Sequence, residues 1–173
     1  MKVLCMFLIV ACLAICSAMG VDSSTQKRKG PKTVGRVTEG FQVSAAAESE
    51  SVQSGMPARL RIKIKNVTDQ ALHLAEVGTE KDYKVRIWTD RGRTVPLTEH
   101  GRVLLNTEGN LYMNLSVIIQ PGQEREDVLE ISNIYDMKTP GNYWVVATRK
   151  VGGLHSKGVT EAESNPVHIK VNR

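Results

Sequence analysis

The sequence predicts an all-β chain folded as an antiparallel sandwich. Three observations predict it: period-two alternation in several short segments, turn signals between them, and no convincing amphipathic helix. In "RLRIKIKNV", Leu60, Ile62 and Ile64 alternate with Arg59, Arg61, Lys63 and Lys65. Successive residues of a strand point to opposite faces, so this register buries one face and wets the other. A helix does not keep that register. "YKVRIW" repeats the pattern through Tyr83, Val85 and Ile87, and "VHIKV" through Val167, Ile169 and Val171.

Five further segments have strand character: "FQVSAAA" at 41–47, "ALHLAEV" at 71–77, "LYMNLSVIIQ" at 111–120, "REDVLEI" at 125–131 and "NYWVVATRKV" at 142–151. Turns are expected at Asn66-Val67-Thr68-Asp69, Asp90-Arg91-Gly92, Pro121-Gly122 and Pro140-Gly141. In each Pro-Gly pair, proline pre-sets the first central residue and glycine accepts positive φ at the second, the chemistry of a type II turn.

"NYWVVATRKV" has apolar side chains on both faces, Tyr143, Val145 and Ala147 against Trp144 and Val146. It is the expected central strand. Pro140 and Gly141 reverse the chain into it, and the hydroxyl of Tyr143 is placed to anchor that corner, as a tyrosine does in many sandwiches. Tyr143 and Trp144 are expected to pack in the core.

At the N-terminus, "MKVLCMFLIVACLAICSAMG" runs from Lys2 through an apolar stretch, Val3 to Ile15, to small residues, the order of a secretory signal peptide. Cleavage is expected near Gly20, with Ala18 as the other site, which places the mature chain in the periplasm or outside the cell. "LAIC" is like a lipobox, but Ile15 stands where a small residue is wanted before Cys16. Ordinary cleavage is therefore expected instead of a lipid anchor. Cys5, Cys12 and Cys16 all fall in the leader, so the mature chain holds no disulfide and depends on its core. An exported bacterial protein fits this better than a disulfide-stapled one. No transmembrane segment is expected in the mature chain.

Residues 21–40, "VDSSTQKRKGPKTVGRVTEG", carry almost no large apolar side chain and read as a disordered basic tether. One domain is expected from Phe41 to Arg173, a length that supports a sizeable core. The formal net charge of +5 is a mild excess of mixed charges. It permits attraction to an anionic polymer, but no aromatic residue accompanies the tether's cations and no nucleic-acid partner is expected.

Catalytic constellations are missing. His73, His100, His155 and His168 stand in separate segments without metal-ligand spacing, and there is no Gly-x-Ser-x-Gly elbow or phosphate-binding glycine loop. Glu80 with Asp82, Glu124 with Glu126 and Asp127, and Glu161 with Glu163 lack the ligand pattern of a calcium loop and read as solvated strand ends. No cofactor is expected. Asn66-Val67-Thr68 and Asn114-Leu115-Ser116 match the glycosylation sequon, which matters only in a eukaryotic source. The basic row Arg59, Arg61, Lys63 and Lys65 is the candidate polyanion-binding surface, its alternative role being to discourage aggregation as edge lysines do.

The order of "IKIKNVTDQALHL", "GTEKDYKVRIWTDRGRTV", "IIQPGQ" and "PGNYWVV" resembles bacterial immunoglobulin-like domains of the BsuPI-type proteinase-inhibitor group, over roughly Arg59 to Val151. The resemblance implies an immunoglobulin-like antiparallel β-sandwich of about seven to nine strands, with proteinase inhibition as one activity. Two features depart from that group: the export signal, and "VGTEKDYK", which matches the group's Ser-Gly-Gln-Tyr-Asp-like segment only through Asp82 and Tyr83. No inhibitory residue is carried over. The expectation is an exported, non-enzymatic module that binds a protein or other macromolecule, the alternatives being an exported proteinase inhibitor and a polyanion or polysaccharide binder.

Overall fold

The computed structural model describes residues 35–106, 115–151 and 160–173. The leader, its cysteines, most of the expected tether, Asn114 and His155 lie outside the described residues. In chain order the elements are β1 (Val37–Thr38), β2 (Phe41–Ala47), β3 (Ser51–Gln53), β4 (Arg59–Asn66), β5 (Leu72–Glu76), α1 (Thr79–Asp82), β6 (Tyr83–Thr89), α2 (Glu99–Asn106), β7 (Leu115–Ile119), β8 (Glu124–Glu130), α3 (Ile131–Ile134), β9 (Gly141–Val151), β10 (Thr160–Glu163) and β11 (Val167–Asn172). Eight of these strands have five residues or more, within the number expected; β1, β3 and β10 are the short additions.

The architecture is an all-β, immunoglobulin-like sandwich. One sheet has the order β1-β2-β4-β8, and the facing sheet has β10-β9-β11-β3 with β6 on the other side of β9. β5 and β7 form a third, two-stranded piece. The pairing is antiparallel except between β3 and β11, which run parallel. Alternation decides which side chains meet: Leu60, Ile62 and Ile64 of β4 point inward with Phe41 and Val43 of β2, opposite Tyr143, Val145 and Ala147 of β9 and Ile169 of β11, all nearly inaccessible. Each fully buried aliphatic side chain contributes roughly 1.5 to 3 kcal/mol.

Asn165, between β10 and β11, joins the sheets. Its Oδ1 accepts from the Ala45 N–H at 3.0 Å and its Nδ2 donates to the Ala45 carbonyl at 2.9 Å, so one side-chain amide does for β2 what a neighbouring strand would do. At the other end of β9, the Tyr143 hydroxyl donates to the Thr139 carbonyl at 2.5 Å and closes the corner.

Four expectations need correction. The domain does not start at Phe41, because Val37 and Thr38 pair with Gln42 and Phe41 around a turn at Glu39 and Gly40, both of positive φ. Gly122 has the positive φ of 74° that its turn requires, whereas Gly141 is an extended residue of β9 paired with Val171. Trp144 is not in the core: it points outward and is 36% exposed.

The fourth correction is helix α2. Thr98 caps it, its hydroxyl accepting from the Gly101 N–H at 3.0 Å; in 8 residues, with Gly101 buried and Leu104 packed against the core, its apolar stripe is too short to read in the sequence. Gly101 lies against α3, where an added Cβ would stand 2.1 Å from the Ile134 carbonyl oxygen. Gly101→Ala is expected to lower stability by about 1 to 3 kcal/mol in urea unfolding, because backbone must move to admit the methyl group. An unchanged midpoint would show that the contact is relaxed in solution.

Candidate functional surface

The basic row is in place but it is matched by carboxylates. On the outer face of β4, Arg59 reaches Glu130 at 3.1 Å and Glu48 at 3.7 Å, Arg61 reaches Glu126 at 3.3 Å and Glu48 at 3.6 Å, and Lys63 reaches Glu124 at 3.0 Å and Glu126 at 3.6 Å. Lys65 is directly opposite Glu124 in the register. Lys63 holds the Glu124 carboxyl below its ordinary pKa. The result is a cross-strand charge ladder with as many acids as bases. Nor is β4 an edge: it lies between β2 and β8, so its cations do not guard an open strand.

Aromatic residues gather on the other sheet instead. β6, β9 and β11 place Trp88, Trp144 and His168 directly opposite one another across three adjacent strands, on the outer face. The rings of Trp144 and His168 are 5.1 Å apart, centroid to centroid, tilted by 56°. Trp88 is half-buried. Asp90, in the turn after β6, fixes the position of Trp144: one carboxylate oxygen accepts from its indole Nε1 at 3.1 Å, while the other accepts from Asn142 Nδ2 at 2.6 Å. Next to this row stand Asn142 and Lys170, opposite each other on β9 and β11. Further along β9 on the same face, Val146 and Thr148 are buried beneath the Arg86 to Glu163 ion pair of 2.7 Å, which spans the strand from β6 to β10. The Trp144 end is therefore the accessible part of this face.

An exposed tryptophan needs explanation, because burying its ring removes about 150 to 250 Å² of surface from water. None of the other exposed large apolar side chains among the described residues belongs to β6, β9 or β11. The apolar footprint is thus one aromatic cluster with a polar rim. In the sequence Trp144 reads as a core residue, and nothing there brings Trp88 and His168 beside it. The signal available was parity: Trp144 shares the outward phase of β9, and Trp88 and His168 share the outward phases of β6 and β11.

A second group of charges is buried between the sheets. Arg149, on the inward face of β9, contacts Asp82 at 2.9 Å and donates to the Ala75 carbonyl at 2.6 Å, with its guanidinium 5.1 Å from the Tyr83 ring centre. Tyr83 donates to Asp127 at 2.7 Å; Asp127 accepts from Arg125 at 3.1 Å, and Arg125 also pairs with Glu76. Asp82 and Asp127 are thus buried partners and not solvated strand ends. Burial pulls the Arg149 pKa down to about 10, the charge of Glu76 acting against it. The guanidinium remains charged at neutral pH.

Burial, with the Asp127 carboxylate beside it, pushes the Tyr83 hydroxyl above its ordinary value. The folded protein therefore keeps this proton where an unfolded tyrosine, near pH 10, loses it. The stability that follows is fully present below about pH 10 and is lost as pH rises above it. Tyr83→Phe is expected to reduce the alkaline fall in unfolding free energy, Tyr135 and Tyr143 supplying the remainder because burial raises them too. An identical alkaline limb in the variant would contradict this.

The remaining positions are structural or dispersed. His73 contacts Ser116 at 3.3 Å and His100 contacts Glu80 at 3.1 Å. Asn66, the first sequon asparagine, is fully buried with its amide engaged, so no glycan can be attached to it in the folded state. Among the described residues no group of three or more His, Cys, Asp or Glu is placed to hold a metal ion. No helix among them is long and apolar enough to cross a membrane.

No family model matches the chain, and no curated protein matches it. Among solved structures it is similar to a CARDB domain from Pyrococcus furiosus, with 15% identity and a TM-score of 0.39, over 79% of this chain and 97% of that one. It is also similar to a β-glucosidase from Listeria innocua, with 14% identity and a TM-score of 0.40, over 76% of this chain and 16% of that one. A β-glucosidase from Erythrobacter marinus matches with 15% identity and a TM-score of 0.39, over 76% of this chain and 15% of that one. The chain thus spans about one-sixth of the glucosidases it resembles.

Proposed function

We propose that the protein is an exported, non-enzymatic β-sandwich module that binds another macromolecule through the outer face of β6, β9 and β11. The observation that carries this reading is Trp144, a large aromatic side chain on the outward phase of β9, exposed and held in place there by Asp90. A residue kept at the surface in one orientation loses little entropy when a partner covers it, which is how binding surfaces use tryptophan.

The basic row on β4 is the weaker candidate, because a polyanion must first displace the four carboxylates that already face it. Retention on an array of extracellular polysaccharides and proteins separates the two surfaces. The wild-type protein and a variant with Arg59, Arg61, Lys63 and Lys65 replaced by glutamine are expected to be retained alike, and Trp144→Ala to be lost. The opposite pattern would return the binding surface to β4.

A further inference from the structure

We infer that the ligand of the Trp144 face is a polysaccharide, bound by stacking of a hexopyranose ring on the Trp144 indole. This rests on the reading that the face binds a macromolecule, and names the class. A stable protein interface buries about 800 Å² on each partner around an apolar core. Here the apolar surface is confined to Trp144, the half-buried Trp88 and the neighbouring His168, with no exposed aliphatic side chain on those strands to extend it. One indole face is the size of one sugar ring.

Chemistry points the same way. A pyranose presents C–H groups on its faces and hydroxyls around its rim, so it calls for an apolar plate surrounded by hydrogen-bonding groups. Trp144 supplies the plate. His168 on one side, Asn142 and Lys170 on the adjacent row, supply the rim, and Lys170 is exposed and engaged in no ion pair among the described residues. Asp90 spends both oxygens on Trp144 and Asn142, which holds the plate and part of the rim in one geometry before any ligand arrives. The row of rings crosses the three strands, so a chain of sugars would run across the sheet rather than along a strand.

Trp88 and Trp144 are the only tryptophans in the chain, so its indole emission reports on this face alone. The purified protein is titrated with a soluble β-glucan, a β-mannan and polygalacturonate, following tryptophan emission and migration in gels containing each polymer. At least one polymer is expected to shift the emission and retard the protein. Trp144→Ala should weaken that binding about tenfold or more, and Trp144→Phe, which keeps a ring, should weaken it less. Because Trp144 is exposed, both variants are expected to retain the wild-type unfolding midpoint to within a few degrees.

Absence of any effect from all three polymers would overturn the inference, as would binding that Trp144→Ala leaves unchanged. If the polymers fail while an arrayed protein retains the wild type and not Trp144→Ala, the binding face stands and its ligand class is wrong. If Trp144→Ala alters retention on no arrayed polymer or protein, both readings fall.

Discussion

Asn66→Ala is expected to destabilise the protein by about 3 to 5 kcal/mol, enough to lower its melting temperature by roughly 10 °C or more. Asn66 ends β4 with no accessible surface, and its amide is used on both sides. Nδ2 donates to the carbonyls of Gln70 at 2.7 Å and Ile119 at 2.9 Å, while Oδ1 accepts from the Thr68 N–H at 2.9 Å and the Thr68 hydroxyl at 2.7 Å. One side chain therefore fixes the turn after β4 and ties it to the end of β7. Alanine leaves the buried Ile119 carbonyl without this donor, at about 1 to 3 kcal/mol, and removes the three other bonds that hold the turn, at about 1 kcal/mol each.

Asn66→Asp sharpens the test. The carboxylate keeps the acceptors for Thr68 but turns a negative oxygen toward two carbonyls. Burial without a partner raises the folded-state pKa of such a group, so its protonated form favours the fold and its deficit grows as pH rises through the ordinary carboxylate range. Urea unfolding from acid to neutral pH should show this variant approaching the wild type at low pH. Equal deficits at every pH would mean that the two carbonyl bonds are not the source of the cost.

Arg149→Met is the second large effect, again about 3 to 5 kcal/mol. Methionine fills the volume but leaves Asp82 charged and nearly inaccessible, still accepting from the N–H groups of Val77 at 2.9 Å and Gly78 at 3.3 Å but without its cation, and removes the bond to the Ala75 carbonyl. The penalty is mostly the stranded carboxylate and not the lost pair. Combining Arg149→Met with Asp82→Asn should therefore recover stability relative to Arg149→Met alone. A double variant that is worse, by the sum of the two single losses, would show that the pair does not act as a unit.

How much of this was legible in the sequence depended on whether a feature repeats with a short period. The alternation in "RLRIKIKNV" is β4, and "FQVSAAA" is β2, because each strand buries one face and wets the other. β9 was legible as the central strand for the opposite reason, an apolar run paired on both sides. β1, β3 and β10 were not legible, since two to four residues carry no period.

The candidate surface was misplaced by a related limit. A row of cations on one strand is visible in the sequence, but the carboxylates of Glu124, Glu126 and Glu130 that face it come from β8, some sixty residues further along, in a register that only the fold sets. Trp88, Trp144 and His168 likewise come from three separate segments. The buried role of Asn66 was hidden because a turn asparagine and a buried amide look the same until Ile119 arrives beside it.

We propose that this protein meets its ligand on the Trp144 face and not on the β4 charge ladder. Two indole N–H resonances, from Trp88 and Trp144, make this directly measurable by nuclear magnetic resonance with a polysaccharide that shifts the emission. On titration, the Trp144 indole signal and the backbone amides of Asn142, His168 and Lys170 are expected to move together and saturate at one affinity, with the amides of Arg59 to Lys65 unmoved. Movement confined to Arg59 to Lys65, with both indole signals still, would put the ligand on β4 instead.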